Sequence, residues 1–128
     1  MIVLDASVLI AYLDGDDHHH QAAEALLAAE VDDDFVVNPL TLAEVLVAPA
    51  RDGRLSAAQT VLRDLEINEI AFPPDTAVRL AQLRASTGLK LPDCCVLLAA
   101  VGVNAIVASF DDRLVRSAAD HNLPTLGR

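Results

Sequence analysis

Short β-branched runs alternate along this chain with stretches of helical periodicity, and that alternation restricts it to a sheet of parallel strands joined by helical crossovers. Ile2 to Leu4 reads as a first strand, Phe35 to Val37 as a second, Ile67 to Phe72 as a third and Ala105 to Ala108 as a fourth, with a short edge strand around Thr125. Between them, Gln21 to Glu30 places Ala22, Ala23, Leu26 and Leu27 at helical spacing. Asp75 to Ala85 does the same with Ala77, Leu80 and Ala81 before Gly88 supplies a stop. Asp93 to Val101 is apolar nearly all round after its first residue, as expected for a helix buried on most sides. Pro39 suits the first turn of a helix running through Glu44, and Pro49 is expected to end or kink it. Asp112 begins the helical run DRLVRSAAD, with His121 at its C-terminal end.

A chain of 128 residues corresponds to one domain, 1–128, and 53% apolar against 22% charged residues excludes disorder as its main state. The longest apolar run, Cys94 to Val103, is shorter than the roughly 20 residues that span a bilayer. No basic region followed by an apolar stretch and a cleavage site opens the sequence, so a soluble, cytoplasmic protein with no membrane partner is expected. Cys94 and Cys95 are adjacent, with Cα atoms about 3.8 Å apart, which argues against a relaxed disulfide, and no CxxC supports structural zinc. Both read as core-facing helix residues. Nine basic against 19 acidic residues give a net charge of −10, which argues against broad electrostatic adhesion to nucleic acid or anionic lipid. It leaves room for an acidic cleft neutralised by a divalent metal.

Four acids stand at informative places. Asp5 follows the run IVL and Asp111 follows AIVA by two residues, so both lie just past the carboxyl ends of predicted parallel strands, where open α/β sheets bind ligands. Asp93 sits at the start of the buried helix behind Pro92, and Glu44 lies among Leu42, Ala43, Val45 and Leu46. Taken singly, Asp5, Asp93 and Asp111 are explained as helix N-caps and Glu44 as a rim residue reaching solvent. If the four converge, few cations are close to them in sequence, and a hard divalent ion is the economical remedy for their repulsion. Periodicity does not show that convergence.

The segments MIVLDASVLIAYL, PLTLAEVL, LKLPDCCVLLAA and IVASFDDRL, in this order across nearly the whole chain, resemble the four acidic motifs of the PIN-domain family. The DASVL, LPD and SFDDRL wording is most similar to the VapC-type ribonuclease toxins of prokaryotic toxin–antitoxin pairs. The resemblance implies a PIN-like α/β/α sandwich, a short parallel sheet flanked by helices. It implies a Mg2+- or Mn2+-dependent endoribonuclease, the toxin of a type II toxin–antitoxin system, that cleaves RNA phosphodiester bonds by metal-activated water. Asp5, Glu44, Asp93 and Asp111 take the catalytic and metal-binding positions, with the hydroxyls of Ser7 and Ser109 beside them. A cognate antitoxin and a homodimer are the implied partners. Cys94 and Cys95 stand where small residues such as Ala are usual, and Ser109 replaces the commoner Thr; these changes keep size or the hydroxyl.

Arg51, Arg54, Lys90, Arg113 and Arg116 are candidates for RNA phosphate contacts, each with an ordinary surface cation as its alternative. Phe35, Phe72, Phe110 and Tyr12 form no interleaved stacking platform. His18, His19 and His20 precede a helix and read as exposed helix-start residues, with adventitious nickel or zinc binding as the minor reading. Dinucleotide, P-loop and α/β-hydrolase turns are missing. Two alternatives remain: a catalytically inactive PIN-like module that binds partners, and a receiver-like phosphoacceptor domain. The second fits poorly, because the predicted second strand ends in Asn38-Pro39 and the sole lysine is Lys90.

Overall fold

The computed structural model describes residues 1–127. In chain order it contains β1 (Ile2–Leu4), α1 (Ala6–Leu13), α2 (His20–Ala29), β2 (Phe35–Val37), α3 (Pro39–Arg51), α4 (Leu55–Asp64), β3 (Asn68–Glu69), α5 (Thr76–Thr87), α6 (Leu91–Val103), β4 (Ile106–Ala108), α7 (Asp112–Asp120) and β5 (Thr125–Leu126). The strands form one sheet in the order β3-β2-β1-β4-β5, and every pairing is parallel. Ile2 faces Phe35 on one side and Ile106 on the other, so β1 is the central strand.

Alternation along these three-residue strands builds two cores, because successive side chains point to opposite faces. Ile2, Leu4, Phe35 and Val37 pack on one face with Val8 and Leu9 of α1, Leu27 of α2, Val45 of α3 and Leu62 of α4. Val3, Val36 and Val107 pack on the other with Cys94 and Leu97 of α6 and Leu114 and Ala118 of α7. The result is the expected α/β/α sandwich. After β2 and β3 the chain crosses to the far side of β1, which makes the gap between β1 and β4 a topological switch point, the place where ligands bind in such sheets.

Several elements differ from the sequence reading. The third strand shrinks from Ile67–Phe72 to Asn68–Glu69, since both strand residues are exposed at the sheet edge and only the amide of Ile70 continues the ladder, to the Val37 carbonyl (2.8 Å). Pro49 does not end α3, which runs on to Arg51. It forgoes the i→i−4 bond to the Val45 carbonyl two residues before the helix ends, and its ring is buried. On α5 the inward side chains are Leu80 and Leu83, while Ala77 and Ala81 face solvent. The reading assigns no helix to residues 55–64, where α4 buries only Ala58 and Leu62. Among the described residues no single helix is long and apolar enough to cross a membrane.

Candidate metal centre

Asp5 follows β1 directly and is only 7% exposed. Its amide donates to the Ala108 carbonyl (2.9 Å), which ties the end of β1 to the end of β4. Two hydroxyls then donate to the same carboxylate oxygen: Ser7 Oγ to Oδ2 at 2.7 Å and Ser109 Oγ to Oδ2 at 2.8 Å. Each hydroxyl is aimed by a backbone amide, Phe110 N donating to Ser7 Oγ (3.0 Å) and Asp111 N to Ser109 Oγ (2.9 Å). Asp5 is the N-cap of α1 by position but makes no side-chain cap bond. Its charge is held by side chains, and Oδ2 is the oxygen they occupy.

Asp111 caps α7: its Oδ1 accepts from Arg113 N (2.9 Å) and Leu114 N (3.3 Å). Asp93 lies in the first turn of α6, whose N-cap is Lys90. Glu44 lies on the exposed side of α3. The structure brings these residues together electrically. Burial pushes the Asp93 carboxyl up to about 6, and the charges of Asp5, Asp111 and Glu44 add to the rise, with Lys90 opposing it. Burial, then the charge of Asp5, raises Glu44 as well. Among the described residues none of the four carboxylates forms a salt bridge. An all-oxygen, uncompensated acidic set fits a hard divalent cation. The one trio of metal-ligating atoms within 4.8 Å of one another among the described residues is elsewhere, at Asp17, His18 and His19. No three of Asp5, Glu44, Asp93 and Asp111 bring ligand oxygens that close to one another.

The candidate cations divide by place. Lys90 acts on Asp93, and Arg113 beside Asp111 reaches the Gly88 carbonyl (3.4 Å), so both stand at the rim. Arg54 pairs with Asp52 (3.4 Å) at the start of α4, Arg51 is exposed in the last turn of α3, and Arg116 bonds back to the Asp112 carbonyl (3.4 Å). A cavity of about 540 Å3 opens beside Glu44, walled by Ile10 and Leu13 of α1, Val45 of α3 and Ala58 and Val61 of α4. Cys94 and Cys95 are buried; burial, then the neighbouring Cys94 and Glu44, pushes the Cys95 thiol up to about 11. They stay protonated core residues.

A further positioning residue was legible only as a pattern. Asn38 Oδ1 accepts from Thr41 N (2.8 Å) and its Nδ2 donates to Thr41 Oγ1 (3.0 Å), both residues being buried. This cap starts α3, which carries Glu44, and the Asn-Pro-x-Thr order announces it. The three histidines do not behave alike: His18 is exposed, while His19 and His20 are partly buried.

The fold is a parallel α/β/α sandwich with acids at its switch point, and the sequence match gives its family. The PIN domain model matches residues 2–120, so this chain belongs to the PIN-domain family. Solved structures share its fold. A toxin–antitoxin complex from Klebsiella pneumoniae superposes with a TM-score of 0.73 at 23% identity, over 87% of each chain. VapC20 of Mycobacterium tuberculosis, a toxin that cleaves the sarcin–ricin loop, superposes with a TM-score of 0.78 at 14% identity, over 91% of this chain and 95% of its own. VapBC2 from Rickettsia felis, bound to a DNA fragment from their promoter, gives 0.72 at 15% identity, over 98% and 97%. No curated protein matches the chain in sequence.

Proposed function

We propose that this chain is a single-domain, cytoplasmic endoribonuclease dependent on Mg2+ or Mn2+, and the toxin of a type II toxin–antitoxin pair. The observation that carries the reading is the charge coupling of Asp5, Glu44, Asp93 and Asp111 at the switch point, with no salt-bridge partner among the described residues. Asp5, Asp93 and Asp111 would hold the principal ion, and Glu44 would complete a second site or orient the attacking water. A bound divalent ion activates water and neutralises charge developing on the phosphate oxygens. Ser7 and Ser109 lock the Asp5 carboxylate in one orientation, and the α7 cap does the same for Asp111. Lys90, whose charge acts on Asp93, and Arg113, next to Asp111, are the proposed RNA phosphate contacts.

The toxin–antitoxin assemblies among the structural neighbours support a protein partner of that kind. The cavity beside Glu44, apolar on its α1 and α4 walls, is the proposed surface for an antitoxin. A homodimer is the proposed assembly. Purified protein should cut single-stranded or loop RNA with Mg2+ or Mn2+ and stop with EDTA. Cleavage that survives EDTA in a metal-free preparation overturns the metal mechanism. Folded protein that binds an antitoxin but never cuts RNA makes it an inactive partner-binding module. Coexpression of the adjacent upstream gene product should relieve growth arrest.

A further inference from the structure

The histidine triplet is the sequence feature that the proposed nuclease does not use. Asp17, His18 and His19 lie in the turn between α1 and α2, before helical geometry separates neighbouring side chains, and each places one ligand atom within 4.8 Å of the other two. We propose that these three residues form a second metal site, selective for a borderline ion of the zinc class and separate from the acidic set. Two imidazoles and one carboxylate suit zinc, nickel or copper and disfavour magnesium, which prefers oxygen throughout. Ligands around a tetrahedral zinc, each about 2.0–2.1 Å from it, stand roughly 3.4 Å apart, so small rotamer changes close the trio. Water would fill the fourth position.

The turn is already organised for this. His19 N donates to Asp17 Oδ1 (2.8 Å), which brings the carboxylate back over the histidines. The rings of His18 and His19 lie 4.0 Å apart. His19 also stacks on Phe110, with centroids 4.7 Å apart and planes 16° from parallel, which fixes the ring against the body of the protein. His20 is held out of the site: its Nδ1 lies 2.8 Å from the Ala11 carbonyl and its Nε2 3.2 Å from Glu24. Two of the three consecutive histidines can therefore share one ion because the chain there is a turn.

Zinc titration against a chromogenic chelator, with excess Mg2+ present to occupy the carboxylates, tests the site. Wild type is expected to bind one Zn2+ per chain. His18→Ala, a change at a side chain that is 84% exposed, should weaken binding by at least about tenfold, the loss that even an outer partner of a ligand causes. His20→Ala and Asp93→Asn should bind as wild type does. Unchanged affinity in His18→Ala, no zinc binding by wild type, or loss in Asp93→Asn overturns the proposal. Long-range proton–nitrogen spectra of the wild-type rings give a check free of any folding defect. Zinc should shift His18 and His19 and leave His20 and His121 in place; shifts confined to the latter pair, or none, overturn it.

Discussion

Asp93 bears the cost of burial and then the repulsion of Asp5, Asp111 and Glu44, and its raised pKa, about 6 against an ordinary 3.8, fixes the sign of a pH effect. Below about pH 4 the carboxyl is protonated in both folded and unfolded chains and costs nothing. As pH rises from 4 to 6 the unfolded chain releases the proton first, so folding stability falls, and above 6 the full penalty remains. In EDTA at pH 7, Asp93→Asn should therefore melt a few degrees above wild type, roughly what 1 kcal/mol is worth in a domain of this size. The advantage should be mostly lost at pH 4. Urea unfolding at the two pH values checks this, and equal stability at pH 7 would show that Asp93 carries neither a burial cost nor a repulsion. Added Mg2+ should raise the wild-type melting temperature more at pH 7 than at pH 5, because the ion binds the deprotonated form.

Asp111 separates two roles within one side chain. Asn caps a helix about as well as Asp, so Asp111→Asn should keep the melting temperature and lower RNA cleavage at least about a hundredfold, beyond the usual loss for an outer partner of a metal ligand. Asp111→Ala should lose the cap as well, about 1 kcal/mol. Asp112, the first residue of α7 and not its cap, should tolerate Asn with most activity kept. Asp112 is an acid of the first turn, and the cap bonds come from Asp111.

At the scale of elements, the strands that were easiest to read are those enclosed on both faces. The bounds of β1 and β2 match the apolar runs IVL and FVV, and α7 matches its amphipathic run. The bounds of the edge strand β3 and the helix α4 as a whole were not legible, because an exposed Asn-Glu pair and a stripe of Ala58 and Leu62 carry too little apolar signal. Four helices lie over one face, and α3 is held by its cap at Asn38. Asn38→Ala would leave the buried Thr41 amide and hydroxyl without that partner, and should cost about 1–2 kcal/mol. A lower urea midpoint with normal secondary structure content at low urea would be the signature. An unchanged midpoint would mean that α3 is anchored by its packing alone.

At the scale of the whole molecule, the candidate acidic site was proposed from the order of four motifs and not from periodicity: no local pattern says that residues 5, 44, 93 and 111 meet. The stack of His19 on Phe110 was hidden for the same reason, since it joins residues far apart in the chain. A net charge of −10 also sets an expectation for substrate binding. A protein making 6–10 phosphate contacts loses about 10³–10⁵ in affinity between 50 and 200 mM salt. With Lys90 and Arg113 alone at the rim, RNA cleavage at fixed Mg2+ should fall by less than about tenfold over that range. A steep salt dependence would mean that a larger cationic surface, such as one supplied by a second copy, takes part.

The crowding of negative charge around Asp93 bears on how variants behave inside a cell. Cellular proteases draw on the unfolded fraction, and a change of 1–2 kcal/mol is enough to alter abundance several-fold. Asp93→Asn gains stability while losing its proposed chemistry, and wherever the ion does not fill the site it should accumulate above wild type. Colony counts that compare the two at equal promoter strength would then set unequal doses side by side, and a harmless variant would be harmless at a higher dose. Quantifying the protein in each culture turns that mismatch into a second, independent measure of the same repulsion.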